Sequence, residues 1–371
     1  MKIKTITCHK VYNYGAILQE YALVEYLKNM GYEVETINYT PNYLTYDFSF
    51  FANSSNPKYS SNLFVKLLYL IGKIPHRILA LQRKKSFDYF EKKFIPSTNY
   101  NYKTNEELKK NLPIADAYIC GSDQIWNSFF QNGKDPAFYL DFVPEDKLKI
   151  SYAASFAIEE IEEELKPFVK EKVNKLNKIS VRETSGINIL NELGITKVTQ
   201  VLDPVFLIDK EIWKEKFVKL IPEKYIFVYD MDSNEQIKKI TKHVSKKYKL
   251  KIYTVSSNIK YADKAFYTGG PEMFLSLIGN ATYVIGNSFH AVAFSLIFEK
   301  NFLVFDRNEQ INTRMRDIMN LLDLSHLHLK IDEFKEIDTI DIDYKIVNRK
   351  LKHEIEKSKF FINSSIKQKE C

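Results

Sequence analysis

Residues 281–298 read as a single strand–corner–helix unit, and no other stretch restricts the fold as much. Ala281-Thr282-Tyr283-Val284-Ile285 has the apolar, β-branched character of a buried strand. Ala291 to Phe298 is apolar almost throughout, as in a helix that is buried rather than amphipathic. Between them lies the polar corner Gly286-Asn287-Ser288-Phe289-His290. A buried strand feeding a buried helix belongs in a parallel α/β layer. The corner then sits at the carboxyl end of the strand, beside the unpaired N–H groups of a helix N-terminus. There an α/β protein can hold an anion and hand over a proton.

The same alternation recurs along the chain. Lys4–Cys8 reads as a strand, Gly15–Met30 as an amphipathic helix stopped by Gly31, and Glu33–Tyr39 as a second strand. This is a βαβ unit with a right-handed crossover. Further strands are expected at 115–120, 149–153, 178–181 and 198–202, with helices at 159–176 and 184–193. Asp203-Pro204 breaks the pattern, and the domain crossover is placed over 203–222. The alternation then restarts with strands at 225–229, 250–255, 281–285 and 302–305 and helices at 234–247, 270–280 and 310–322. A Lys-rich helix begins at Tyr344. A chain of 371 residues exceeds one ordinary core. We therefore expect an α/β protein of two Rossmann-like βα domains, residues 1–205 and 206–343, facing across a cleft, with a C-terminal helix over 344–371. Residues 41–60, rich in Asn, Ser, Tyr and Pro, read as a long loop that opens a helical, basic insertion at about 41–112.

Composition narrows the class further. Hydrophobic residues at 45% and charged residues at 27% suit a globular protein. The net charge is +7, and residues 66–110 alone carry 11 Lys/Arg against 4 Asp/Glu, so that segment holds the whole surplus. Its cations alternate with Leu, Ile and Phe at helical spacing. That pattern fits a solvated helix face, or docking to an anionic membrane surface or a polyanionic acceptor. No nucleic-acid-binding motif accompanies the charge. The cysteines Cys8, Cys120 and Cys371 form no CxxC pair, as in a protein of the reducing cytoplasm. The chain starts as a strand rather than a signal peptide, and the apolar run Leu63–Ile74 is interrupted by Lys66 and Lys73. The expected location is cytoplasmic, with peripheral contact at the inner membrane surface left open.

Four corners at strand ends offer chemistry. In Tyr12-Asn13-Tyr14-Gly15-Ala16, Gly15 lets backbone approach a ligand, and Asn13 can bind a hydroxyl or simply cap the helix. Gly121-Ser122-Asp123-Gln124-Ile125-Trp126-Asn127 is small and acceptor-rich; Asp123 can orient or deprotonate a hydroxyl, or serve as an N-cap. Arg182, in Ser180-Val181-Arg182-Glu183-Thr184, suits a carboxylate or phosphate, or pairs with Glu183 or another acid. At the fourth corner His290 follows Asn287 and Ser288, all flanked by potential donors, and Arg314 and Arg316 add anion ligands or surface charge. His326 and His328 have no companion at convincing metal-ligand spacing, and neither a Walker loop nor a GxSxG elbow occurs.

Taken in order, these segments resemble the polysaccharide pyruvyl transferase family. The matching residues are Asn13 to Gln19 with Tyr21-Ala22-Leu23, Gly121 to Asn127, Ser180 to Glu183, Asp203-Pro204-Val205-Phe206-Leu207, Ser288-Phe289-His290 with Phe294-Ser295, and Asn312 to Arg314. Asn287 and Ala291 depart from the family pattern, which often has an acidic residue or Thr and a Gly there. The resemblance implies a fold similar to the GT-B glycosyltransferases. It also implies transfer of the enolpyruvyl group of phosphoenolpyruvate to glycan hydroxyls as a ketal, for surface polysaccharide biosynthesis. Under it His290 is the acid and Asp123 the base. Arg182, Arg314, Ser288, Asn287, Asn13, Gly15, Gly121, Ser122 and Gln124 bind substrate. The chemistry requires neither metal nor cofactor beyond phosphoenolpyruvate as donor, and the acceptor can be lipid-linked. A nucleotide-sugar glycosyltransferase and a non-catalytic glycan- or membrane-binding protein are the alternatives.

Overall fold

In the computed structural model, residues 1–44, 63–309, 311–330 and 341–367 are described, with side chains left aside at 63–73, 75 and 76. Among these residues the strands form two six-stranded parallel sheets. The first contains β1 (Lys2–Ile6), β2 (Glu33–Thr36), β3 (Ala117–Cys120), β4 (Leu148–Ala154), β5 (Lys178–Val181) and β6 (Val198–Gln200), in the order β2-β1-β3-β4-β5-β6. The second contains β7 (Tyr225–Tyr229), β8 (Lys251–Thr254), β9 (Lys264–Ala265), β10 (Tyr283–Gly286), β11 (Asn301–Phe305) and β12 (His328–Leu329), in the order β12-β11-β10-β7-β8-β9. Register places apolar residues in rows: Ile3 lies beside Val34 and Ala117, and Val284 beside Phe227 and Phe302. Strands β3 and β7 are buried along their whole length, as a doubly covered parallel sheet requires. This is the two-domain α/β architecture expected from the sequence.

The helices are α1 (Tyr14–Asn29), α2 (Leu63–Phe94), α3 (Asn105–Lys110), α4 (Lys166–Val173), α5 (Thr184–Glu192), α6 (Lys210–Phe217), α7 (Glu235–Tyr248), α8 (Pro271–Asn280), α9 (Phe289–Ile297), α10 (Thr313–Leu321) and α11 (Tyr344–Lys367). Two differ from the sequence pattern. The helix expected over 159–176 shortens to α4, because Pro167 belongs in a first turn and residues 163–165 form a separate 3-10 turn. Conversely, α6 lies within the stretch read as crossover, with Trp213 and Phe217 buried one turn apart. Most of the expected loop at 41–60 falls outside the described residues, as does Cys371, while Cys8 and Cys120 are buried free thiols.

The two halves are joined by apolar contact rather than by a linker alone. Helix α1 belongs to the first half, yet Tyr14, Leu18, Tyr21 and Ala22 join the same core as β7, β8, β10 and β11. The Tyr14 ring stacks on Phe274 at 4.7 Å, and Tyr21 meets Trp213 edge-on at 5.4 Å. Each such fully buried aromatic contributes about 1.5–3 kcal/mol. Arg83 of α2 lies over the Tyr14 and Phe87 rings and donates to the Tyr12 carbonyl, so one cation of the basic segment braces this junction. Helix α11 ties the halves a second time. Val347 and Leu351 pack on the second half, whereas Phe361, Ile362 and Ile366 join Ile3, Leu23 and Val24 of the first. The Leu202 amide donates to Ser358 Oγ at 2.9 Å. No helix among the described residues is long and apolar enough to cross a membrane.

Candidate active site

The carboxyl ends of both sheets meet at one cluster of buried charge. Arg182 emerges from the end of β5, Asp123 from the corner after β3 and Asp203 from the turn after β6. His290 and Arg314 come from the other half, in the first turns of α9 and α10. Arg182 donates through Nη1 to Asp203 and approaches Asp123 Oδ1 at 3.3 Å through Nη2. Arg314 Nη1 reaches the same Asp123 oxygen at 3.2 Å. His290 Nε2 stands 3.4 Å from Asp203 Oδ2, within ion-pair range but without hydrogen-bond alignment. The Phe289 ring faces both cations, 4.9 Å from the Arg182 guanidinium and 5.7 Å from that of Arg314. Two like charges are thus held side by side by one shared carboxylate and one aromatic face.

Burial sharpens the electrostatics. It raises the cost of ionising Asp203, but Arg182 and His290 outweigh that cost and hold the carboxyl well below its usual range. Asp123 is likewise lowered against its burial by Arg182 and Arg314. Burial opposes the charge of Arg182, yet Asp203 and Asp123 raise its pKa overall. For Arg314, burial together with the neighbouring Arg182 outweighs Asp123, Glu183 and Asp203 and brings it down to about 10. That makes Arg314 the under-compensated cation of the cluster. Arg182 Nε, Arg314 Nε and His290 Nε2 are all buried without a hydrogen-bond partner among the described residues. Unpaired polar atoms are costly inside a protein, and three such nitrogens in one cluster can serve the oxygens of an anion. Ser288 occupies the N-cap position of α9 but makes no capping bond, so the amides of that first turn are also free of a side-chain cap.

The β1–α1 corner contributes shape. Gly15 lies directly under the imidazole: a Cβ there would stand 1.9 Å from His290 Nδ1. Asn13 caps α1, accepting from the Gly15 and Ala16 amides at 2.8 and 3.3 Å, so its side chain serves the helix. Gly121, at φ +120°, approaches the Tyr152 carbonyl too closely for any side chain. Ser122 is fully buried, donates to the Ala153 carbonyl and takes its place between Thr7 and Gln19. Gln124 accepts from Asn127, and Asn287 bridges Asp230, Asp232 and the Met231 amide. These three side chains brace the corners that carry the site. Asp123 caps no helix, since turns follow it, and Arg182 pairs with Asp203 and Asp123 rather than Glu183. Glu183 instead accepts from Ser155 Oγ and the Phe156 and Ala157 amides. Arg316 pairs with Glu159 at the surface.

Asp203 and Phe289 are the members that residue-by-residue reading passes over. Asp203 looked like a chain break before Pro204; its Oδ1 does accept from the Val205 amide at 3.1 Å, while Oδ2 serves Arg182 and faces His290. The signal available was an acid held inside an apolar stretch, Val201 to Leu207.

Comparison with solved structures gives distant likenesses. An α-glucosyltransferase in complex with UDP and a 13-mer DNA is 9% identical, with a TM-score of 0.49 over 97% of this chain and 90% of its own. The UDP-GlcNAc 2-epimerase of Methanocaldococcus jannaschii is 12% identical, with a TM-score of 0.46 over 95% and 92%. The E. coli heptosyltransferase WaaC is 9% identical, with a TM-score of 0.36 over 82% and 88%. Likeness at that level speaks to neither substrate nor mechanism. No curated protein matches the sequence significantly. The family model for polysaccharide pyruvyl transferase matches residues 13–309, and the chain belongs to that family.

Proposed function

We propose that the protein transfers the enolpyruvyl group of phosphoenolpyruvate to two hydroxyls of a glycan, forming a pyruvate ketal and releasing phosphate, in assembly of a surface polysaccharide. One observation carries this reading: two buried guanidiniums and a histidine, each with a nitrogen that makes no hydrogen bond among the described residues, are gathered around Asp123 and Asp203. Phosphoenolpyruvate brings a carboxylate and a phosphate, and both need fixed cations and N–H donors. In the proposed sequence, protonated His290 delivers its proton to the methylene carbon, making C2 electrophilic. A glycan hydroxyl bonds to C2, and its proton passes to a base. A second hydroxyl then bonds to C2 and gives its proton to the now neutral His290 as the C2–O bond to phosphate breaks; phosphate leaves with that electron pair, and the ring closes.

Asp123 suits the base only after the donor arrives. Two guanidiniums keep it a weak base in the free protein. A substrate carboxylate that takes over those cations would relieve Asp123 of them and raise its basicity. Asp203, still on Arg182, would stabilise the imidazolium before proton transfer. A lipid-linked acceptor is supported by α2, where Ile74, Ile78 and Leu79 are exposed within the basic segment.

A nucleotide-sugar reading is less well served. The corner after β7 presents Asp230 and Asp232, bridged by Asn287, where a diphosphate at the sheet's switch point would meet two carboxylates. The test is a thermal-shift titration with phosphoenolpyruvate, UDP-sugars and GDP-sugars. Phosphoenolpyruvate should stabilise the protein, by about 2.7 kcal/mol at a hundred times Kd, and the nucleotide sugars should not. Arg314→Ala, which removes the cation that burial and Arg182 leave less well compensated, should weaken that affinity by about tenfold or more. Stabilisation by a nucleotide sugar instead, or an unchanged donor affinity in Arg314→Ala, would overturn the assignment.

A further inference from the structure

We infer that Phe129 and Phe130 form a platform for a pyranose ring of the acceptor glycan, an inference that rests on the transferase reading above. Phe129 is 56% and Phe130 43% exposed, side by side in sequence. Phenylalanine is among the residues most often buried, so an adjacent exposed pair marks a contact surface.

The loop that carries them is not slack. Asn127 Oδ1 accepts from the Phe129 amide at 3.0 Å, and Asn132 Nδ2 donates to the Gln124 carbonyl. Tyr139 Oη donates to the Gly133 carbonyl at 2.8 Å, and Trp126 Nε1 donates to the Phe138 carbonyl at 3.0 Å. Gly133 sits so close to the Asn127 carbonyl that a Cβ would fall 2.3 Å from its oxygen. The two phenyl rings are therefore held outward by a braced backbone. Tyr43, 41% exposed, reaches the same loop by donating to Asp135, and Gln131 and Lys134 are exposed between them.

The occupant follows from chemistry and continuity. The loop begins at Asp123, which lies against both guanidiniums, so one continuous segment runs from the buried cluster to the aromatic pair in six residues. A pyranose has an apolar C–H face that suits a phenyl ring and an equatorial rim of hydroxyls that suits an amide and an ammonium.

The probe is a glycan array, read with wild type, Phe129→Ala/Phe130→Ala and Phe129→Tyr. Wild type should be retained on at least one saccharide class, Phe129→Tyr should be retained similarly, and the double alanine variant should bind at least tenfold more weakly. Both side chains are about half exposed, so all three proteins should remain fully folded at the assay temperature, as a thermal melt will check. The phosphoenolpyruvate thermal shift, measured in parallel, should be the same in all three. A missing shift in wild type would instead overturn the donor assignment, which the array does not touch. Wild type retained on no saccharide, or a double variant retained as well as wild type, would overturn the platform, as would loss of binding to acidic liposomes or to a protein partner in place of glycan.

Discussion

His290→Ala is expected to lower turnover by on the order of 10²-fold or more while phosphoenolpyruvate still binds. The imidazole is the one group in the cluster whose ordinary pKa lets it give up a proton near neutrality. Its loss leaves Asp203 on Arg182 and α9 buried along its apolar length, so the fold should survive. Gly15→Ala tests the same proton from the other side. The added methyl would overlap the ring, and His290 would have to move. A displacement of that kind costs rate rather than donor affinity, about 10²-fold for an ångström. Steady-state kinetics beside donor titration reads both variants. Full turnover in His290→Ala would remove it as the acid.

Arg182→Ala should act first on stability, by about 3–5 kcal/mol in urea unfolding. Its side chain is 2% exposed, and the Asp203 carboxylate it serves is wholly buried, so truncation strands a charge with no water to take it up. The effect should depend on pH in a set direction. The folded-state pKa of Asp203 lies below its unfolded value of about 3.9. Its stabilising contribution is therefore fully present above that value and is lost as pH falls through the depressed one. The gap between wild type and Arg182→Ala should narrow in acid. Equal stability at neutral pH would mean that Asp203 is not held by this pair.

The sequence shows the fold where periodicity is set by burial on both faces. Strands β5 and β7 span the residues that the sequence pattern marks, 178–181 and 225–229, and α9 follows directly from the residues after Gly286. The two-residue strands β9 and β12 exist through pairing alone and leave no pattern to read. Helix α6 is legible in the four-residue spacing of Trp213 and Phe217, although Pro204 just before it has the look of a crossover. The site divides in the same way. Arg182, Asp123, His290 and Arg314 each stand beside a strand end or helix start, and topology brings all four together. Asp203 and Phe289 owe their roles to partners far away in sequence. Asn13, Ser122, Gln124 and Asn287 look like ligands in a polar corner, yet their hydrogen bonds hold the corners themselves.

The most direct measurement is incubation of the wild-type protein with phosphoenolpyruvate and extracted surface glycans, following inorganic phosphate and acceptor mass together. The account predicts phosphate release that depends on the glycan, with a matching gain of one pyruvate ketal per acceptor. Phosphate release without acceptor gain, or acceptor gain only when a nucleotide sugar replaces phosphoenolpyruvate, would contradict it.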